Sequence, residues 1–433
     1  MKYSIYNSIQ GTTGGTSILY NAGSDNFVLF NSKLQPLLNK TPDALAKENT
    51  DFYKELVSAG AIISDEIDEY NQQLIKAIEA KSQEESFEIM INPTLDCNLH
   101  CWYCYENHIK DSIISPSTLV KIKNFINNTI SHKPQLKTIT LSFFGGEPLI
   151  NFDIVSQIIT FTNDACERKK IELNIVFTSN GVLLNNEMVS FFTKNDLSVT
   201  FQITLDGGRE YHNKVRFSQG NVPTYDAIIE NIHLLVLHKI SVILRINFTK
   251  DSFESIPSIL EVIMDIPIED RDFIKIDLQQ VWQDKDDSFD ITVMMDTFKQ
   301  NGFEVSSPLI CIDNLRYPCY ADKLNQMLIN YNGDVYKCSA RDFTPQNKKG
   351  VLTDRGEVLW TDVSPQIMIQ QFHPKEACKT CNIFPLCGGG CIQKNSEVKD
   401  TGDCVLGIDE ELKKEIILNR FYCYFVKNHQ CNE

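Results

Sequence analysis

Cys97-Asn-Leu-His-Cys101-Trp-Tyr-Cys104 stands just after the apolar run Phe87-Glu-Ile-Met-Ile. Three thiolates in this C-x3-C-x2-C spacing can hold three irons of a [4Fe–4S] cluster and leave the fourth iron without a protein ligand. An open iron is a place for a small molecule to bind. Zinc is the rival reading, since closely spaced cysteines also build tetrahedral sites, but those normally carry a fourth Cys or His at ligand spacing. His100 and His108 are the nearest histidines. His100 lies inside the loop, where the short spacing leaves it little freedom to turn inward, so it reads as a solvated residue.

Outward from the loop, strand-like apolar runs at Phe87–Ile91, Thr138–Phe144, Leu173–Thr178, Val199–Leu205, Val242–Asn247 and Phe273–Leu278 alternate with amphipathic stretches. Leu119, Val120, Ile122, Phe125, Ile126 and Ile130 paint one face of a helix between the first two. This alternation predicts a parallel α/β sheet with right-handed crossovers and a ligand at the carboxyl ends of its strands. The first four strands each end in something polar or flexible. The first runs into the cysteine loop and the second into Gly145-Gly146-Glu147-Pro148. The third ends in Thr178-Ser179-Asn180-Gly181 and the fourth in Thr204-Leu205-Asp206-Gly207-Gly208, with Arg216 a short way beyond. Two glycines let backbone approach a ligand closely, and Glu147 can accept a hydrogen bond from an ammonium group. An Asp can bind a ribose hydroxyl and an Arg can clamp a carboxylate. Taken singly, each stretch also reads as a plain turn.

Taken in order, these four stretches closely resemble the partial barrel of the radical S-adenosylmethionine (SAM) enzymes. The resemblance implies a partial (β/α)6, TIM-like barrel over residues 87–300 in which Cys97, Cys101 and Cys104 hold a [4Fe–4S] cluster. The amino and carboxylate groups of SAM would chelate its free iron. Tyr103, Gly145, Gly146 and Glu147, with Ser179, Thr204, Asp206 and Arg216, are then the expected contacts to SAM. Reductive cleavage of SAM would give methionine and a 5′-deoxyadenosyl radical that abstracts a hydrogen atom from a substrate.

A chain of 433 residues with 42% hydrophobic content can bury a core and divide into two or three domains. Its start, Met1-Lys-Tyr-Ser-Ile-Tyr-Asn, lacks the apolar core of a signal peptide, and no apolar stretch is long enough to span a bilayer. The expectation is a cytoplasmic protein without a membrane partner. Fourteen cysteines in a reducing compartment point to metal or cluster ligation rather than disulfides. A net charge of −16 argues against nucleic acid, which requires a basic footprint.

Before the barrel, short apolar runs at Tyr3–Tyr6, Ser17–Tyr20 and Phe27–Phe30 precede three helix-like segments, the last ending at Gly60. This order is similar to the winged-helix precursor-recognition domains of enzymes that mature ribosomally made peptides, here over residues 1–70. Such a domain can capture a leader peptide as an added strand; the plainer reading is a structural cap. Residues 71–86 are charged and helix-prone and read as a linker helix.

Beyond the barrel lie Cys311, Cys319, Gly333-Asp-Val-Tyr-Lys-Cys338, Cys378-x2-Cys381-x5-Cys387-x3-Cys391 and Cys404. Zinc knuckles would account for the middle part. The whole order resembles the SPASM extension of radical SAM enzymes, over residues 301–433. That resemblance implies two auxiliary [4Fe–4S] clusters, three clusters in all. One takes Cys319, Cys338 and Cys391 with Cys311 as fourth ligand; the other takes Cys378, Cys381, Cys387 and Cys404. Cys166, in a helical segment, reads as a small core residue, and Cys423 and Cys431 as bystanders near the terminus.

The combined resemblance implies a radical SAM/SPASM maturase, an oxidoreductase that modifies or cross-links a side chain of a ribosomally made precursor peptide (RiPP). Its expected partners are that peptide with its leader and an electron donor of the flavodoxin or ferredoxin type. The enzymatic alternative is an anaerobic sulfatase-maturating enzyme, which forms formylglycine and resembles this chain in both cysteine systems. Those enzymes carry an Asp directly after the cysteine of Gly-x4-Cys, where this chain has Ser339. A non-catalytic Fe–S redox partner is the remaining alternative.

Overall fold

The computed structural model describes the whole chain except residues 12–13, 219, 285–290, 307–312, 315, 362–363, 399–401 and 431–433, and describes 423–430 by backbone alone. The chain divides into two units, one of Met1–Gln83, Leu309–Leu324 and Pro365–Glu433, the other of Glu84–Pro308 and Asn325–Ser364.

In the first unit, β1 (Lys2–Tyr3) is followed by an antiparallel meander of β2 (Asn7–Gly11), β3 (Thr16–Asn21) and β4 (Asn26–Asn31). A 3-10 helix over Ser32–Asn39, α1 (Pro42–Glu48) and α2 (Thr50–Ser58) come next. β5 (Ile62–Ile63) then returns to pair with β1. The apolar run Tyr3–Tyr6 is therefore not one strand. The chain turns after Ser4 to bury Tyr6, and the meander strand is the polar Asn7-Ser-Ile-Gln-Gly, which alternates without an apolar run. The linker stretch forms α3 (Glu69–Lys81), capped by Asp68, whose carboxylate accepts the Asn71 amide at 3.2 Å.

The second unit is built on one sheet. β6 (Ser86–Asn92), β8 (Thr138–Phe143), β9 (Glu172–Ser179), β10 (Ser198–Asp206), β12 (Ser241–Phe248) and β13 (Ile274–Gln280) lie side by side in that order, all parallel. They match the six expected runs to within one or two residues at each end. β14 (Glu304–Ser306) extends the sheet beyond β13. On the other edge β15 (Gln326–Asn330) pairs in parallel with β6 and leads into antiparallel β16 (Asp334–Tyr336), β17 (Gly350–Leu352) and β18 (Val358–Trp360). Between β6 and β8, a short strand β7 (Leu99–Cys101) pairs with β11 (Arg216–Ser218). The crossovers are α4 (Pro116–His132), α5 (Phe152–Lys169), α6 (Asn186–Lys194), α7 (Arg209–Val215), α8 (Tyr225–Leu237), α9 (Pro257–Ile263) and α10 (Ile291–Gln300).

Strand alternation divides the sheet's two faces by chemistry. Phe143, Phe177 and Phe201 stand in register on neighbouring strands and stack at 5.0 and 4.7 Å between ring centroids, with Phe192 of α6 edge-on against the last two. These four rings are buried, each contributing roughly 1.5–3 kcal/mol of burial. The residues between turn the other way, so Gln202, Thr204 and Asp206 of β10 share the inner face with Arg245 and Asn247 of β12. That face is polar, unlike the Val/Ile/Leu filling of a closed barrel.

In the first unit, the C-terminal stretch contributes α11 (Pro365–Gln370), α12 (Phe384–Cys387), α13 (Ile392–Glu397) and α14 (Glu410–Gln430). Its core joins the ends of the chain: Tyr6, Tyr20 and Ala22 pack in one cluster with Cys378, Phe384, Ile416 and Ile417. Arg420 makes a bidentate pair with Asp25, both contacts 2.7 Å. Among the described residues no helix is long and apolar enough to cross a membrane.

Candidate active site

The cysteine loop leaves β6 and is pinned by its own polar residues. The Thr94 hydroxyl accepts the Asp96 amide, Asp96 Oδ1 accepts the Cys97 amide, and the Ser112 hydroxyl accepts the Leu95 amide, all at 2.8–2.9 Å. The β7–β11 ribbon then sets Cys101 opposite Arg216. The Leu99 amide and the Asn180 side-chain amide both point at Cys97 Sγ, at 3.5 and 3.9 Å.

The Gly-Gly-Glu-Pro stretch packs directly on this loop. A Cβ on Gly145, whose φ is +102°, would lie 2.3 Å from the Thr94 carbonyl oxygen, and one on Gly146 would lie 2.1 Å from that of Asp96. Only glycine permits that approach. Glu147 is wholly buried; Oε1 accepts the Ser179 hydroxyl and the Leu149 amide, and Oε2 accepts the Asn180 amide. Burial pushes its carboxyl up to about 7 against those three donors. Glu147 thus ties the second strand's loop to the third's.

The fourth strand's end forms a second knot. The Tyr103 hydroxyl, next to Cys104, contacts both Asp206 oxygens at 2.6 and 2.8 Å, the Arg216 guanidinium and the Asn247 side-chain amide. Arg216 Nε donates to Asp206 at 2.9 Å, and both residues are buried. Burial works against the Arg216 charge, but Asp206 beside it holds the guanidinium protonated well above its ordinary value. Thr204 is buried two residues before Asp206 on the same inner face.

The structure therefore gathers Cys97, Cys101, Cys104, Tyr103, Gly145, Gly146, Glu147, Ser179, Asp206 and Arg216 at neighbouring strand ends. Sequence reasoning did not single out Asn180 or Asn247. Asn247 and Arg245 stand two apart in the otherwise apolar Val242-Ile-Leu-Arg-Ile-Asn-Phe, and that break in a buried strand was the available signal.

Burial pushes the Cys97 thiol up to about 12 and raises those of Cys101 and Cys104 as well. Burial disfavours the thiolate form of all three, a cost that bound metal would offset, and a cavity of about 510 Å³ opens against Cys101 and Cys104. In number and type the three thiols are the donor set of a [4Fe–4S] cluster with three protein ligands. His108 Nε2 lies 3.5 Å from Cys104 Sγ, whereas His100 is exposed beside Phe217. In the other unit Cys378, Cys381, Cys387 and Cys404 line a cavity of about 50 Å³. Burial drives the Cys387 thiol up to about 12, and the other three sulfurs are near enough to add to it. Four thiols around one cavity are the donor types of a cubane or a tetrahedral zinc, although among the described residues no three His, Cys, Asp or Glu side chains stand together in metal-binding geometry. Cys319 and Cys391 belong to that unit and Cys338 to the unit of the sheet. Cys311 and Cys431, and the Cys423 side chain, lie outside the described residues. Cys166 is buried in α5.

Residues 91–263 match the model of the radical SAM superfamily. The chain thus carries a radical SAM domain, and it is an enzyme. It is 24% identical over 351 residues to the cysteine-type anaerobic sulfatase-maturating enzyme of Clostridium novyi (strain NT), spanning 72% of this chain and 89% of that one. Over 228 residues it is 23% identical to the radical SAM cyclopropyl synthase TigE of Paramaledivibacter caminithermalis, 48% of this chain and 46% of TigE. The crystal structure of Streptococcus suis SuiB bound to precursor peptide SuiA is similar in fold, with a TM-score of 0.55 at 17% identity, over 94% of this chain and 100% of SuiB.

Proposed function

We propose that the protein is a peptide maturase that oxidatively modifies or cross-links a side chain of a ribosomally made precursor peptide. The observation that carries this reading is the N-terminal meander, whose outer strands β2 and β4 pair with no further strand among the described residues. A leader segment can add to such an edge through main-chain hydrogen bonds, the role expected of a winged-helix-like recognition domain over residues 1–70. The similarity in fold to SuiB, solved with its precursor peptide, supports the same reading.

Cys97, Cys101 and Cys104 would hold the cluster, and Tyr103, Gly145, Gly146, Glu147, Ser179, Thr204, Asp206 and Arg216 would shape the SAM site. Bound there, cluster and SAM supply a 5′-deoxyadenosyl radical that takes a hydrogen atom from the substrate. The chain's own work is to fix that geometry and keep water out. The Tyr103–Asp206–Arg216 knot holds the cysteine loop against β10, and the Glu147 carboxylate locks two further loops. A product two hydrogens poorer also releases a proton and a second electron. The SPASM-type clusters of Cys311, Cys319, Cys338 and Cys391 and of Cys378, Cys381, Cys387 and Cys404 are the proposed acceptor, and an external flavodoxin or ferredoxin the donor for SAM cleavage.

Formylglycine formation is the second reading, favoured by the 24% identity to the Clostridium novyi enzyme. Ser339, in place of the Asp of those enzymes, speaks against it. Anaerobic incubation with SAM, reductant and the peptide encoded beside this gene decides between them. Loss of two hydrogens from that peptide is the expected result; conversion of a sulfatase-derived peptide alone moves the assignment to sulfatase maturation.

A further inference from the structure

Beyond the residues of the SAM site, β12 and β13 carry a polar wall. Their outer-face Leu244, Ile246, Ile276 and Leu278 are wholly buried, whereas Arg245, Asp277 and Gln279, which alternate with them on the inner face, are half-buried. Half-exposed side chains in the middle of a sheet whose other face is sealed mean that the inner face is open to solvent. Along this wall most of the hydrogen-bonding capacity is spent. Asn247 accepts the Arg245 Nε at 3.0 Å and donates its side-chain amide to the Tyr103 hydroxyl at 3.2 Å. Asp277, in register with Arg245, takes the Gln279 amide on both oxygens, at 2.9 and 3.0 Å, and the Ser306 hydroxyl at 3.4 Å. Lys275, two residues earlier, pairs with Glu304 at 2.6 Å. What remains is the end of Arg245: among the described residues its two terminal nitrogens make no hydrogen bond or ion pair.

A guanidinium anchored through Nε presents its terminal N–H groups as a fixed planar fork, and such a fork matches the two oxygens of a carboxylate. The position of Arg245 narrows the source of that carboxylate. It is in register with Thr204, one pleat or roughly 7 Å further from the strand ends than Asn247 and Asp206. It therefore faces the interior beneath the knot of Tyr103, Asp206 and Arg216 rather than the cysteine loop. We infer that Arg245 is a specificity-determining residue that grips a carboxylate of the precursor peptide, either an acidic side chain or the C-terminal group, and so fixes which stretch of peptide enters the inner face. The inference deepens the maturase reading and rests on it.

The test measures anaerobic turnover of the peptide encoded beside this gene by the reconstituted full-length enzyme and by its Arg245→Gln, Arg245→Met and Arg245→Lys variants. Loss of the fork should lower kcat/KM roughly 30-fold in the Gln and Met variants, mainly through KM, with partial recovery in the Lys variant. Iron content and the SAM dissociation constant should stay at their wild-type values. Two altered peptides locate the partner group, one amidated at its C-terminus and one with the Asp and Glu residues outside the leader replaced by Asn and Gln. One of them should be as poor a substrate for the wild-type enzyme as the natural peptide is for Arg245→Gln, and should lose little more with that variant. Equal kcat/KM in wild type and variants, or indifference of the wild type to both altered peptides, would overturn the inference while leaving the maturase reading intact. A weaker hold on SAM in Arg245→Gln would overturn it too, by assigning the fork to the methionyl carboxylate. Wild-type enzyme that leaves the natural peptide unchanged would refute the maturase reading itself and this inference with it.

Discussion

His212 is held as a neutral imidazole by neighbours with opposite demands. Its Nδ1 accepts the Asp206 amide at 3.2 Å and so has no place for a proton, while Nε2 donates to the Thr224 hydroxyl at 3.2 Å. That hydroxyl in turn donates to the Arg216 carbonyl. Burial, reinforced by the Arg216 charge, pushes the imidazole down to about 3. A folded value below the unfolded one means that the unfolded chain binds the extra proton first, so stability falls as pH drops below about 6.5. The apoprotein should be about 2 kcal/mol less stable at pH 5 than at pH 7 from this residue alone, and His212→Gln should remove that component. Urea unfolding at the two pH values measures both. Arg216→Met leaves the Asp206 carboxylate buried without its counterion, which should cost about 3–5 kcal/mol by the same assay and lower iron content by freeing the cysteine loop. Asp206 and Arg216 were legible in the sequence as polar residues at a strand end. Their joint hold on Tyr103 was not, because Tyr103 lies more than a hundred positions from both and meets them only once the sheet has formed.

Loops and strands differ in how far the sequence reveals them. β6, β8, β9, β10, β12 and β13 stand out because their outer-face positions carry a dense alternation of buried Ile, Leu, Val and Phe. β7 and β11 are three residues each and are defined only by pairing with one another, so neither has a periodicity to find. β2 was hidden because Asn7-Ser-Ile-Gln-Gly is polar, while the apolar Tyr3–Tyr6 drew attention to the turn beside it. At the loop after β8 the glycines read as room for a ligand. In the folded chain Gly145 and Gly146 also give room to the neighbouring loop at Thr94 and Asp96. Gly146→Ala puts a methyl group where a backbone carbonyl stands, and the cysteine loop must shift. We expect loss of most of the iron bound through Cys97, Cys101 and Cys104, with far-ultraviolet circular dichroism little changed. Normal iron content in that variant would contradict the close approach.

For the whole molecule, the N-terminal residues are built into the same unit as the last stretch of chain. Tyr6, Tyr20 and Ala22 share a core with Cys378, Phe384 and Ile416, and Asp25 pairs with Arg420. Deletion of residues 1–83 should therefore abolish iron binding at Cys378, Cys381, Cys387 and Cys404, where removal of an independent recognition domain would spare it. Iron analysis in the background lacking the three loop cysteines distinguishes the two. Periodicity could not reveal this union, since contacts between the two ends of a chain leave no local pattern. Hydrogen abstraction from a peptide is the step on which the proposed function depends. That step is tested most directly by anaerobic turnover of the neighbouring precursor peptide, deuterated at its side chains, with mass analysis of the 5′-deoxyadenosine formed. Deuterium in that product, matched to peptide two hydrogens lighter, is the predicted result; unlabelled 5′-deoxyadenosine beside unchanged peptide would contradict it.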